Sequence, residues 1–190
     1  MLRAAALAVL VAVLTAAPAA ARAPSVPRDW LGVVADGPLT DPGADREAEW
    51  ELLAASGAAS VRTAFYWWDG QPFGPGAVDF APYDRVVLAA ARHGLRVLPV
   101  IHGTPGWAAT DSGDFGSPPR DPAELGRFLE ALVGRYGADG SLWREHPEVR
   151  RRPIRDWQIW NEPNLTRYWS RQPFARSFAR VLRAARRALR

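Results

Sequence analysis

Apolar and polar positions along the chain follow two alternating patterns, one typical of strands and one typical of helices. Four short apolar runs, rich in β-branched and aromatic residues, predict strands. They are WLGVVAD (30–36), SVRTAFYWW (60–68), RVLPVIHG (96–103) and IRDWQIW (154–160). Because they are mostly apolar on both faces, they are typical of a buried parallel sheet.

Each predicted strand is followed by a segment whose apolar residues recur at helical spacing. These predicted helices cover 45–57, 81–94, 121–137 and 174–190. The third is the clearest, because Asp121 can cap it, Pro122 suits the first helical position and Glu124 can complete a capping box. Long loops at 67–80 and 103–120 are rich in Gly and Pro, and no stretch has the composition of a domain linker.

Strand followed by helix, four times over, predicts an α/β fold with a parallel sheet that is either open or closed. A (β/α)8 barrel contains eight such units and typically takes about 250 residues. The 190 residues of this chain hold four units. The pattern therefore fits the N-terminal half of a TIM barrel.

The first 23 residues have the pattern of a secretory signal peptide. Arg3 precedes an apolar run at 4–17 that is too short to span a bilayer comfortably, and small residues then offer cleavage sites. We expect an extracellular protein that begins between about residues 20 and 24 and that does not stay inserted in a membrane. An uncleaved membrane anchor is the alternative.

Composition excludes several kinds of chemistry. There is no Cys, and no Lys is present among the 24 basic residues, which excludes thiol nucleophiles, a Schiff-base lysine and a P-loop. The three His residues lie far apart in sequence, so no metal site is expected, and nothing in the chain indicates a cofactor. The formal charge is +4, and arginines concentrate in RRRPIR (150–155) and in 176–190. A solvated helix face and a basic loop explain them better than a nucleic-acid partner does.

Polar and aromatic residues gather at the C-terminal ends of the predicted strands, which is where parallel α/β folds bind ligands. Strand by strand they are Asp36; Arg62, Tyr66, Trp67, Trp68 and Asp69; His102 and Trp107; and Asn161 and Glu162. Aromatic rings suit the apolar faces of pyranose rings, while amides and carboxylates suit their hydroxyls. For the tryptophans, ordinary loop packing is an equally good interpretation.

Glu162 has the sequence context of a general acid. Trp160 and neighbouring apolar groups are expected to desolvate it and so to raise its pKa. Pro163 keeps residue 162 out of the α-helical region, which gives its side chain a defined direction. Asn161 can both donate and accept hydrogen bonds, as a sugar hydroxyl requires. Capping of the following loop is the alternative role for Glu162.

At this point the chain resembles a known group of enzymes. WQIWNEPN (157–164) resembles the fourth-strand motif of clan A glycoside hydrolases, and HGTPGWA (102–108) is similar to the third-strand segment of family 39 and its relatives, family 5 among them. The resemblance covers roughly residues 30–170. It implies a (β/α)8 barrel and a retaining hydrolase of β-linked oligo- or polysaccharides.

The resemblance also implies roles for individual residues. Glu162 would be the acid/base, Asn161 would bind the sugar 2-hydroxyl, Arg62 would support the nucleophile and His102 would line the sugar subsite. Structural roles remain open for two of them: an ion pair for Arg62 and a core position for His102.

One departure from the family pattern is large. The clan's nucleophile is a second Glu on strand seven, and no other carboxylate of this chain matches it. We therefore expect residues 24–190 to be a truncated catalytic domain that is inactive alone and self-associates through its open sheet edges. The alternative is a non-catalytic barrel fragment that binds carbohydrate or a partner chain. An open α/β-hydrolase sheet has no support, because the chain has no G-x-S-x-G motif.

Overall fold

The computed structural model describes residue 27, residues 29–40 and residues 46–190. The predicted signal peptide lies outside these residues. The strands of the described part form one parallel sheet in the order β1-β2-β3-β4. They are β1 (Gly32–Val34), β2 (Ser60–Tyr66), β3 (Arg96–His102) and β4 (Gln158–Ile159). The predicted α/β fold with a parallel sheet is confirmed.

Seven helices connect and follow these strands within the described residues. They are α1 (Gly37–Thr40), α2 (Arg46–Ala55), α3 (Trp67–Gly70), α4 (Ala81–Arg92), α5 (Pro122–Tyr136), α6 (Ser141–Glu145) and α7 (Ala175–Ala188). The four long ones match the four predicted helices to within two residues at each end. The short helices α1, α3 and α6 were not predicted, because one turn is too short to show a periodic pattern.

The two faces of the sheet differ in how they are covered. Along β2, Val61, Thr63 and Phe65 are buried, while the residues between them are partly exposed. Phe65 stacks on Tyr83 of α4 at 4.7 Å and packs edge-on against Tyr136 of α5 at 6.2 Å. The main core therefore lies between the sheet and the helices, as in a barrel wall, and the opposite face carries the polar residues described below.

Capping explains where α5 begins, although only part of the predicted capping box forms. The Asp121 carboxylate accepts a hydrogen bond of 2.9 Å from the backbone N–H of Ala123. Glu124 bonds instead to Arg127, one turn further along the same helix. The helix thus begins where expected, with Asp121 as its cap.

The predicted strand 154–160 is wrong in length, since β4 contains only Gln158 and Ile159. Within the described residues β4 pairs only with β3, so no second neighbour extends the ladder. Trp160 then adopts φ 69°, which takes the chain out of the extended conformation and ends the strand.

Both outer strands of the sheet have one unpaired edge within the described part of the chain. Large apolar residues in and beside β1 are exposed, with Val34 64% and Trp30 72% exposed. Among the described helices, none is long and apolar enough to cross a membrane.

Candidate active site

Arg62 joins β2 to the end of β4 on the face of the sheet that the helices leave uncovered. Its Nε donates to Oε1 of Gln158 and its Nη2 donates to Oδ1 of Asn161, both at 2.9 Å. The guanidinium group is planar and rigid, so two bonds in one plane fix the orientation of both amides. Nδ2 of Asn161 lies 3.4 Å from Oε2 of Glu162, which places the carboxylate beside this network. The structure therefore brings together three of the predicted site residues: Arg62, Asn161 and Glu162.

The backbone before Pro163 has an unusual conformation. Trp160 has φ 69° and Glu162 has φ 43°, values that few residues other than glycine adopt. Gln158 helps to hold this bend, because its Nε2 donates 2.9 Å to the carbonyl of Trp160. The Trp160 indole is also fixed, since it is buried and donates to the carbonyl of Tyr168 at 2.6 Å. Non-glycine residues held at positive φ cluster at functional sites, because surrounding contacts must stabilise the strain.

Glu162 is exposed, which corrects the expectation that Trp160 desolvates it. The Trp160 ring is directed into the core, where it packs edge-on against Trp169 at 4.9 Å and against His102 at 6.2 Å. The described residues thus position the Glu162 carboxylate without burying it.

His102 ends β3 and lies beneath the polar network with 6% of its surface exposed. Its pKa is lowered to about 4, mainly by burial; the nearby Asp36 carboxylate raises the pKa and the Arg62 cation lowers it, both by less than burial does. His102 is consequently neutral at pH 7. A neutral imidazole offers one donor and one acceptor, which suits a hydroxyl group.

Aromatic rings form a continuous row from His102 towards solvent. Tyr66 contacts His102 at 4.7 Å and stacks on Trp68 at 4.8 Å, and Trp68 contacts Phe115 at 5.3 Å. A cavity of about 320 Å³ is lined by Trp68 and Phe115 together with the loop that follows β3. Phe115 is 46% exposed, so it can offer part of its ring to a ligand. Trp68 is therefore connected to His102, one of the predicted site residues, by the Tyr66 ring.

The structure does not bring Trp67 and Trp107 into this group. Trp67 is fully buried, stacks on Phe128 at 5.9 Å and donates from Nε1 to Oε1 of Gln71 at 2.8 Å. Trp107 packs edge-on against Trp67 at 5.6 Å and donates to the Gln71 carbonyl at 2.7 Å. Their contacts are those of core packing behind the strand end, which was the alternative interpretation of these residues.

Sequence reasoning missed Gln158 and Phe115. Gln158 is a polar residue inside an apolar strand, and its neighbours Trp157 and Ile159 pack against the core, so strand alternation places it on the opposite face, which Arg62 reaches. That pattern was available as a signal. Phe115 lies in a long loop, where no periodicity indicates direction.

Comparison with solved structures identifies the fold. A family 39 glycoside hydrolase from Bacteroides cellulosilyticus WH2 has a TM-score of 0.56 at 19% identity, over 85% of this chain and 30% of its own. The endoglucanase Cel5A of Pseudomonas stutzeri has a TM-score of 0.54 at 15% identity, over 84% of this chain and 46% of its own. The exo-β-1,4-mannosidase Op5Man5 of an Opitutaceae bacterium has a TM-score of 0.56 at 18% identity, over 84% of this chain and 30% of its own. No protein-family model and no curated protein matches the chain.

The structures that the chain resembles are clan A glycoside hydrolases with TIM barrels, and the chain spans between 30% and 48% of their length. Together with the four-stranded parallel sheet, this confirms the predicted fold, which is half of a (β/α)8 barrel. At these identities the likeness shows the fold alone.

Proposed function

We propose that the chain is the acid/base half of a retaining glycoside hydrolase that acts on β-linked oligo- or polysaccharides. The observation that carries the proposal is the Arg62–Asn161–Glu162 network, at the edge of the sheet where parallel α/β barrels bind their ligands. The fold shared with glycoside hydrolases supports it, and so does the aromatic row that begins at His102.

Glu162 protonates the leaving glycosidic oxygen while a second carboxylate attacks the anomeric carbon. After the leaving group departs, Glu162 accepts a proton from a water molecule. The oxygen of that water attacks the anomeric carbon and releases the sugar from the glycosyl–enzyme intermediate. Retaining enzymes hold the two carboxyl groups about 5–5.5 Å apart. In such a pair the charge on the nucleophile favours the protonated form of the acid/base residue, and loss of that charge on glycosylation lets the same residue act as a base.

Arg62, Asn161 and His102 position the sugar rather than exchange protons with it. Arg62 orients the Asn161 amide, so Asn161 presents its Nδ2 to a ligand hydroxyl in a fixed direction. His102 offers a neutral ring at the base of the same site. Exposed Glu162 becomes desolvated only when substrate and the opposite barrel wall cover it.

No carboxylate of this chain matches the family's strand-seven Glu, so the proposed mechanism requires an attacking carboxylate that these 190 residues do not supply. We also propose that residues 1–23 direct export and that residues 24–190 form the truncated catalytic domain. The 190 residues alone would then bind sugar weakly and turn over none.

The test is hydrolysis of a panel of aryl β-glycosides by the 190-residue chain and by any longer product of the same gene. We expect turnover only by a longer product that carries four further βα units, and loss of that turnover in Glu162→Gln. Detection of the released sugar anomer by NMR checks retention of configuration. Inversion at the anomeric carbon would contradict the double-displacement mechanism.

A sugar-binding protein without catalysis is the second candidate, favoured by the row of aromatic rings that ends at the exposed Phe115. Binding of cello- or manno-oligosaccharides that Asn161→Ala abolishes, without turnover by any product of the gene, would support it against the hydrolase.

A further inference from the structure

An arginine-rich pocket lies at the end of the sheet opposite Glu162. Ser60 and Arg96 begin β2 and β3, and Arg155 and Asp156 precede β4, so all four mark the N-terminal edge of the sheet. Together with Arg151 and Arg152 they line a cavity of about 400 Å³. That volume lies within the range of small-molecule sites.

The charge in this pocket is strongly one-sided. Four of its lining residues are arginines, against a single carboxylate from Asp156. Within the described part of the chain, Arg151, Arg152 and Arg155 form no ion pair. Arg96 donates from Nη2 to the backbone carbonyl of Asp29 at 2.8 Å, and its ion pair with the exposed Asp29 carboxylate is long, at 3.8 Å. The surplus positive charge is therefore not neutralised by the protein's own described residues.

One donor of the pocket is also left without a partner. The Nε–H of Arg152 is buried and donates no hydrogen bond to any of the described residues. A buried unpaired donor costs free energy, and for a charged group the cost is larger than for a neutral one. A bound acceptor at this position would remove that cost.

We propose that this pocket binds a phosphate or sulfate group. A tetrahedral oxyanion carries two charges and several acceptor oxygens, and guanidinium groups bind such oxygens with paired, charge-assisted hydrogen bonds. The pocket uses the RRRPIR segment (150–155), which the proposed hydrolase site leaves without a role. The inference does not depend on the hydrolase proposal, since the two sites lie at opposite ends of the strands.

The experiment is calorimetric titration of the full chain with inorganic phosphate, inorganic sulfate and glucose 6-phosphate, at pH 7.5 and constant ionic strength. We expect saturable binding with one site per chain. Equal affinity for phosphate and glucose 6-phosphate would assign the free anion as the ligand, whereas tighter binding of the sugar phosphate would assign a phosphorylated carrier.

Two matched variants locate the site. Arg151→Ala/Arg155→Ala removes two exposed pocket arginines and should weaken binding about tenfold or more. Arg183→Ala/Arg187→Ala removes the same charge from the exposed face of α7 and should leave the affinity nearly unchanged. Arg152→Lys keeps the charge but removes the Nε donor, so it should also weaken binding.

Equal weakening in the two double variants would show that net charge, and not this pocket, attracts the anion, and would overturn the proposal. Absence of saturable binding up to about 10 mM would overturn it as well, since affinity would then be below about 3 kcal/mol. Circular dichroism of each variant verifies that the fold is retained.

Discussion

Nη2 of Arg62 donates a 2.9 Å hydrogen bond to Oδ1 of Asn161, 99 positions along the chain. The bond connects the second strand of the sheet to the residue that precedes Glu162. Because Nε of the same guanidinium group also bonds Gln158, one side chain holds the strand and the bend that follows it. The orientation of the candidate acid thus depends on a residue that cannot itself act as an acid or base.

Arg62→Lys should uncouple this network. A lysine ammonium is a point charge without the guanidinium fork, so it cannot bond Gln158 and Asn161 in one plane. Loss of one charge-assisted hydrogen bond corresponds to a fall of about 10- to 100-fold in kcat/KM for an aryl β-glycoside, measured on the active product of the gene. Arg183→Lys on the exposed face of α7 is the control and should have no effect. Unchanged kcat/KM in Arg62→Lys would remove Arg62 from the site.

Glu162→Gln should slow substrates in proportion to how much protonation their leaving group needs. General acid assistance contributes about 10²–10⁴-fold. We expect a loss of that size for an unactivated disaccharide and a much smaller loss in the glycosylation step for a dinitrophenyl glycoside, measured by pre-steady-state kinetics. Equal losses for both leaving groups would show that Glu162 is not the acid.

The parts of the site that could be predicted from sequence share one geometric cause. Arg62, His102, Asn161 and Glu162 lie in or after parallel strands, and the C-terminal ends of parallel strands share one edge of a sheet. The ladder between β2 and β3 then aligns Tyr66 with His102. Strand order and the direction of parallel strands therefore sufficed to group these residues.

The rest depends on contacts between segments that periodicity does not describe. Trp67 and Trp68 are neighbours in an apolar run, yet the chain turns into α3 immediately after Tyr66, which buries Trp67 in the core and leaves Trp68 beside Tyr66. Glu162 is exposed because no described residue covers its face of the sheet. Trp160 does not bury it, since the bend at φ 69° turns the Trp160 ring into the core.

His102 should make folding stability depend on pH. Its pKa falls from the usual 6.5 to about 4 in the folded chain, so between these values the unfolded state binds more protons. Stability is therefore retained above pH 6.5 and is lost progressively as the pH falls towards 4. At pH 5 the loss from this group is about 2 kcal/mol in the free energy of unfolding.

Urea unfolding at pH 7.5 and pH 5 measures this dependence. The free energy of unfolding should differ between the two pH values by about 2 kcal/mol less in His102→Gln than in the wild type, whatever the variant's stability at pH 7.5. His146→Gln removes a histidine that lies partly exposed beside Glu148 and serves as the control. If wild type and His102→Gln lost the same free energy of unfolding between pH 7.5 and pH 5, His102 would not be the group that causes this pH dependence.

Gly103→Ala should disturb the aromatic row. Gly103 has φ 80°, and a Cβ added there would lie 2.6 Å from Cζ3 of Trp68. Gly57 also has φ 80°, but a Cβ there meets nothing within 4 Å. Gly57→Ala should therefore lower the free energy of unfolding by about 1–2 kcal/mol, which is the cost of a side chain at positive φ. Gly103→Ala should lower it by about 1–3 kcal/mol more, because the added Cβ overpacks against Trp68.

Chemical denaturation measures both glycine variants, and tryptophan fluorescence reports any displacement of the Trp68 ring. Equal destabilisation by the two substitutions would show that Trp68 can move away at no cost. The contact between Gly103 and Trp68 would then have no part in holding the aromatic row.

The edge of β1 that no described strand covers should cause the chain to self-associate. Unpaired strand edges recruit other chains, and apolar residues beside this edge are exposed, Leu31 by 48%. Leu31→Lys places a charge at the edge, so it should raise the concentration for half-association about tenfold. Leu52→Lys is the matched control, since Leu52 lies on α2 and is 66% exposed. Light scattering over a concentration series measures both variants. A wild-type chain that stays monomeric at about 100 μM, or an equal response to the two lysines, would show that the β1 edge does not drive association.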